Sequence, residues 1–139
     1  MFKLILVPID LSDPELYQRA VQVGADMARQ SDCKIRLMTV VSAVPPSVSQ
    51  YVPPEIHGQV VDEARTRLNL LATEIGLGDA ASAIVREGAV YHEVLAEAED
   101  AGADLIVMGS HRPAMATYLL GSNAARIVRH ATCSVMVIR

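Results

Sequence analysis

Five short apolar runs, separated by amphipathic stretches and glycine-marked turns, constrain this 139-residue chain more than any other feature. Leu4-Ile5-Leu6-Val7, Lys34 to Val41, Ala83-Ile84-Val85, Asp104 to Met108 and Ser134 to Ile138 are dominated by aliphatic side chains. That is the pattern of parallel strands covered on both faces. Between the first two, Ser12-Asp13-Pro14-Glu15 offers an N-cap, a proline at the helix start and an acid in the first turn. Leu16, Ala20, Val23 and Met27 then follow at helical spacing as the expected buried stripe. Ser42 to Pro54 carries four prolines and no periodicity, so it is expected to be a mobile loop. Ala64, Leu68, Leu71 and Ile75 mark a second helix, stopped by Gly76 and Gly78. Gly88 leads into a third helix with Tyr91, Leu95 and Ala98 on one face, and Gly121 into a fourth. Strands alternating with helices imply βαβ units, hence an α/β fold: a doubly wound parallel sheet of five strands with four helices.

The length suits one domain, residues 1–139, able to bury its own core. Twelve basic against sixteen acidic residues, with no basic block, argue against a nucleic-acid partner. The apolar run at the amino terminus is too short for a signal peptide, and none approaches membrane-spanning length, so a cytoplasmic protein is expected. Cys33 and Cys133 form no CxxC pair and are expected to be reduced, partly buried thiols. His57, His92 and His130 are scattered and suggest no metal site.

The segment Gly109 to Asn123, GSHRPAMATYLLGSN, lies between an apolar strand and a helix that starts after Gly121-Ser122-Asn123. Free N–H groups at that helix start would face the loop and favour an anion such as phosphate. Glycine permits close backbone approach, and Ser122 and Asn123 can cap the helix or donate to a ligand. In an open parallel sheet, ligands sit beyond the carboxyl ends of the strands where the strand order reverses. If the order is 3-2-1-4-5, Asp10 and Gly109 would share that crevice. Asp10 either organises the turn with Ser12 or serves a ligand, by holding Mg²⁺ or a ribose hydroxyl.

The opening ILVPIDLSD and the closing GSHRPAMATYLLGSNAARIVRHATCSVMVIR resemble the universal stress protein family across nearly the whole chain. The resemblance implies a Rossmann-like fold of the adenine nucleotide alpha hydrolase kind with strand order 3-2-1-4-5, ATP or a related adenine nucleotide such as ADP or AMP with Mg²⁺, and a homodimer through the last strand, Ser134 to Ile138. The family's glycine motif is matched at Gly109 and at Gly121-Ser122. Its middle glycine falls on Arg112, and the interval that follows is one residue shorter, so the loop is rebuilt. In this version, similar to a sub-branch carrying Ser-His-Arg-Pro and Leu-Leu-Gly-Ser-Asn-Ala, Arg112 would give a guanidinium to the phosphates. His111 reads as a hydrogen donor or packing residue rather than a base. The resemblance also implies that Pro8, Ile9 and Asp10 line the ribose and phosphate side. Thr39, Val40 and Val41 would flank adenine, the two valines serving equally as strand core. With Met108 and Ser110 on either side of Gly109, the candidate contact set is Pro8, Ile9, Asp10, Thr39, Val40, Val41, Met108, Gly109, Ser110, His111, Arg112, Gly121, Ser122 and Asn123.

Three functions suit such a chain: a nucleotide-binding stress or signalling module whose dimer geometry or Pro45 to Pro54 loop responds to ATP; a slow ATPase or adenylate-transferring enzyme; and a phosphoacceptor domain of the receiver type. No GxxxxGK[ST] loop or nucleophile-base pair supports the second. Asp10 lacks the adjacent acid that the third requires. The module reading leads. The apolar strand Ser134 to Ile138, placed at a sheet edge, gives a separate motive for self-association.

Overall fold

In the computed structural model, which describes residues 1–110 and 121–139, five parallel strands form one sheet in the order β3-β2-β1-β4-β5. The elements are β1 (Leu4–Pro8), α1 (Pro14–Ser31), β2 (Lys34–Val41), α2 (Pro54–Glu74), β3 (Ala81–Glu87), α3 (Val90–Ala101), β4 (Leu105–Gly109), α4 (Ser122–His130) and β5 (Ser134–Ile138). Short 3₁₀ turns at Ser49–Tyr51 and Gly78–Ala80 complete the described chain. The doubly wound α/β fold and its strand order are as the sequence implies.

Period-two alternation along the strands sends side chains to two separate cores. Ile5, Val7, Ile35, Leu37, Leu105 and Val107 meet α1 and α2, while Leu6, Met38, Ile106 and Met108 meet α3 and α4. No helix among the described residues is long and apolar enough to cross a membrane.

The contact face of α1 differs from the expected stripe. Tyr17, Ala20, Val21, Gly24, Ala25 and Ala28 are buried, whereas Leu16, Val23 and Met27 flank them only partly covered. Small residues decide the phase, because they let the helix close onto the sheet. A Cβ on Gly24 would lie 3.0 Å from Val7 Cγ2 and 3.3 Å from Ile35 Cδ1. The proline-rich stretch also ends earlier than expected. It contains a 3₁₀ turn, and α2 already starts on Pro54, where a missing N–H costs a helix nothing. On α2, Ala64 and Leu68 are buried as expected and Ala72 joins them, with Leu71 and Ile75 at the margin.

On α3 the apolar face holds a charge. Ala98 is buried and Tyr91 and Leu95 partly so, but Glu97 is buried as well, with 3% of its surface exposed. Arg36 of β2 donates to its Oε1 at 2.6 Å, and Arg86 of β3 to its Oε2 at 2.8 Å. Arg86 also reaches Glu93 at 2.9 Å, and its hydrogen bonds to Glu93 and then Glu97 hold the guanidinium more firmly protonated than usual. A buried carboxylate is tolerable only when paired in this way.

At the opposite end of the sheet, Asp104 accepts the backbone N–H groups of Lys3 (2.8 and 3.1 Å) and Leu4 (3.1 Å), tying the start of β4 to the start of β1. Burial works against its charge, yet the N–H groups of Leu4 and Lys3 outweigh burial and lower its pKa. Cys33 is buried and Cys133 half-buried; both are free thiols whose pKa is raised, first by burial.

Replacing Glu97 with Ala should lower the unfolding free energy by about 2 kcal/mol, less than for a fully enclosed pair because both arginines can rehydrate. Urea denaturation measures it, and an unchanged midpoint would show that the network contributes no net stability.

Candidate functional site

The crevice begins where two strands stop pairing. β1 pairs with β2 along all five of its residues, but with β4 only through Ile5↔Leu105 and Leu6↔Ile106. Pro8 ends β1 and has no N–H with which to continue a ladder. The strand ends therefore open at the point where the order reverses.

Beyond that opening the chain is held by side chains. The Ile9 N–H donates to the Met38 carbonyl at 2.8 Å, and the buried Thr39 hydroxyl donates to the Ile9 carbonyl at 2.8 Å. Asp10 follows as a turn organiser: its Oδ1 accepts the Ser12 N–H at 2.9 Å and the Ser12 hydroxyl at 2.5 Å. Asp13 N-caps α1, accepting the Leu16 N–H at 3.3 Å, and its own N–H donates to the Asp10 carbonyl at 3.0 Å.

The β4 side is held by Ser110. Its N–H donates to the Ile138 carbonyl of β5 at 3.0 Å, and its buried hydroxyl accepts the Gly121 N–H at 3.1 Å. Gly121 is thus fixed as the N-cap of α4. Among the described residues no side chain caps that helix, which corrects the capping role considered for Ser122 and Asn123. With a glycine at the cap there is no side-chain oxygen to turn back onto the first turn.

These pieces surround a cavity of about 330 Å³. Of the candidate residues, Pro8, Ile9, Asp10, Thr39 and Val40 line it from the β1 and β2 ends. Met108, Gly109, Ser110, Gly121, Ser122 and Asn123 line it from β4 and α4. Val41 is not among the lining residues; its carbonyl accepts the Gly88 N–H at 3.0 Å. His111 and Arg112 lie outside the described residues. Three polar residues that the sequence reading passed over also line the cavity: Asp13, Tyr17 and Ser42. Asp13 had been read only as capping chemistry, and Tyr17 fell outside the assumed stripe of α1. Among the described residues no three metal-ligating side chains cluster.

Gly109 has a purpose that its motif position conceals. A Cβ there would stand 2.5 Å from Leu16 Cγ and 2.7 Å from Leu16 Cδ1, so the glycine admits the first turn of α1 against the end of β4.

Residues 1–139 match the model of the universal stress protein family. The chain belongs to that family. Universal stress protein G of Shigella flexneri is 35% identical to it over 150 residues, an alignment covering 100% of both chains. Among solved structures, the universal stress protein UspA from Lactobacillus plantarum superposes with a TM-score of 0.74 at 25% identity, covering 99% of this chain and 97% of its own. Another universal stress protein, solved in complex with cAMP, reaches a TM-score of 0.73 at 23% identity, covering 99% and 97%.

In this universal stress protein, Gly109→Ala should destabilise the fold by about 1–3 kcal/mol through overpacking against Leu16. Leu16→Ala in the same chain should recover part of the loss. Thermal unfolding of the single and double variants tests this; additive losses would mean that the two sites do not share the strain.

Proposed function

We propose that this protein is a cytoplasmic adenine-nucleotide-binding module, with ATP as the reference ligand, that acts in a stress response through the state of its dimer or of its Pro45 to Pro54 loop. The observation that carries the reading is the convergence of the uncapped amino terminus of α4 with the end of β2 on one cavity. The first N–H groups of α4 have no intrahelical acceptor, and this end of the helix dipole favours negative charge. Phosphates belong there, beside Ser122 and Asn123. Backbone groups and apolar walls at Thr39, Val40, Val90 and Val94 suit a planar base. The likeness to a family member solved with cAMP supports an adenine ligand. Magnesium would arrive on the phosphates, with Asp10 and Asp13 as the carboxylates within the cavity wall. Arg112 and His111 enter the proposal as further phosphate contacts from the interval between Ser110 and Gly121.

Self-association belongs to the same proposal. β5 pairs with β4 on one side, and the Ile138 carbonyl points to β4. Strand alternation then turns the Val137 N–H and carbonyl to the outer edge, where a second copy of β5 would meet them.

Calorimetric titration of nucleotide-stripped protein with MgATP, with GTP as control and chromatography of the recovered nucleotide, tests the reading. The expected result is saturable binding of about one ATP per chain with ATP recovered intact. No binding at millimolar ATP, weaker than about −4 kcal/mol, would overturn it. ADP appearing over time would instead establish the enzyme alternative. Gly121→Asp, which places a negative side chain at the mouth of α4, should cost at least about tenfold in affinity. Val137→Pro should weaken the dimer in sedimentation while leaving the monomer folded, because the lost N–H belongs to the edge and not to the β4 ladder. An unchanged oligomer would remove β5 from the interface.

A further inference from the structure

Among the described residues, one polar group in the cavity wall has no hydrogen-bond partner. Tyr17 stands at the end of the first turn of α1, has 8% of its surface exposed, and lines the cavity. Among the described residues its hydroxyl makes no hydrogen bond, while its backbone N–H is satisfied by the Asp13 carbonyl at 3.1 Å. Yet no fully enclosed side-chain nitrogen or oxygen among the described residues lacks a partner, so this hydroxyl keeps contact with accessible space. Tyr17 is one of the residues that line the cavity, which offers such space.

The neighbours along α1 sharpen the point. Behind Tyr17 the buried face is Ala20, Val21, Gly24, Ala25 and Ala28. Packing on that face demands small or purely apolar side chains, and phenylalanine would supply the ring of Tyr17 without a polar atom to desolvate. A phenol in such a place is accounted for by something that hydrogen-bonds it.

The chemistry of the two walls identifies what that is. The α4 wall offers backbone N–H donors and suits phosphate, which in its ionised form has only acceptors to give. The α1 wall offers the carboxylates of Asp10 and Asp13 together with the phenol of Tyr17, one turn from Asp13 on the same helix. Carboxylates accept and do not donate, so besides the Mg²⁺ on the phosphates this wall suits a ligand group that carries O–H or N–H protons. A sugar hydroxyl does, and a phenol can both donate to it and accept from it.

We infer that the Tyr17 hydroxyl hydrogen-bonds a ribose hydroxyl of the bound nucleotide and gives this protein a preference for ribonucleotides over a deoxy analogue. The inference rests on the nucleotide reading above and adds to it a residue and a specificity.

Titrating the full-length wild type and Tyr17→Phe with ATP, 2′-deoxy-ATP and 3′-deoxy-ATP, each with Mg²⁺, tests it. The wild type should bind one of the two deoxy analogues about tenfold more weakly than ATP, as loss of one well-formed hydrogen bond implies. Tyr17→Phe should bind ATP as weakly as the wild type binds that analogue, and should no longer distinguish the two. An unchanged melting temperature for Tyr17→Phe would exclude a loss of fold as the cause. If wild type binds ATP and Tyr17→Phe retains full affinity, or weakens equally for all three nucleotides, the inference is overturned while the nucleotide site stands. If wild type binds all three equally, the inference is likewise overturned. Failure of wild type to bind ATP at all would overturn the nucleotide reading, and this inference with it.

Discussion

The two-residue ladder between β1 and β4 is the constraint on which the rest of this molecule depends. It joins strands a hundred residues apart, and it is where the winding of the sheet changes direction. At one end Asp104 binds it with the N–H groups of Lys3 and Leu4. At the other Pro8 withdraws an N–H and Gly109 makes room for Leu16, so the pairing gives way to a cavity instead of a longer sheet. Had the ladder run on through Val7 and Val107, the two strand ends would have satisfied each other and left less open backbone between them. Rigidity at the base and opening at the top are two results of one arrangement.

What the sequence made legible, and what it hid, follow from the range of the interactions involved. Strand cores such as Leu4 to Val7 and Val135 to Ile138 announce themselves because their side chains are aliphatic and wholly or partly buried on either face. The Gly121 turn was equally visible, since a glycine before an amphipathic run is a local signal. Helix phase was less so. On α1 the larger residues Leu16, Val23 and Met27 outweigh Ala20, Gly24 and Ala28 in any hydrophobicity count, yet distance to the sheet favours the small ones. Tyr17 was missed for the same reason. Glu97 was unreadable for another: its burial is balanced by arginines 61 positions earlier and 11 earlier, on two different strands. Gly109 was found in the right place, but the contact that requires it belongs to a helix almost a hundred residues upstream.

The cavity is divided chemically by the elements that frame it. α1 enters with its capping carboxylate and a phenol, and α4 enters with bare N–H groups, because one helix begins on Asp13 and the other on Gly121. A nucleotide has the same division, with hydroxyls at its sugar and acceptors at its phosphates. Under the proposed function, the direction of the ligand would follow from these two N-cap residues.

Ser110 connects this division to the edge of the sheet. Its hydroxyl holds the Gly121 N–H at the mouth of α4, while its backbone N–H holds the carbonyl of Ile138 in the edge strand. Under the proposed function, a phosphate at α4 would sit beside the turn that Ser110 holds, one hydrogen bond away from β5. Ser110 thus touches both the cavity wall and the edge strand.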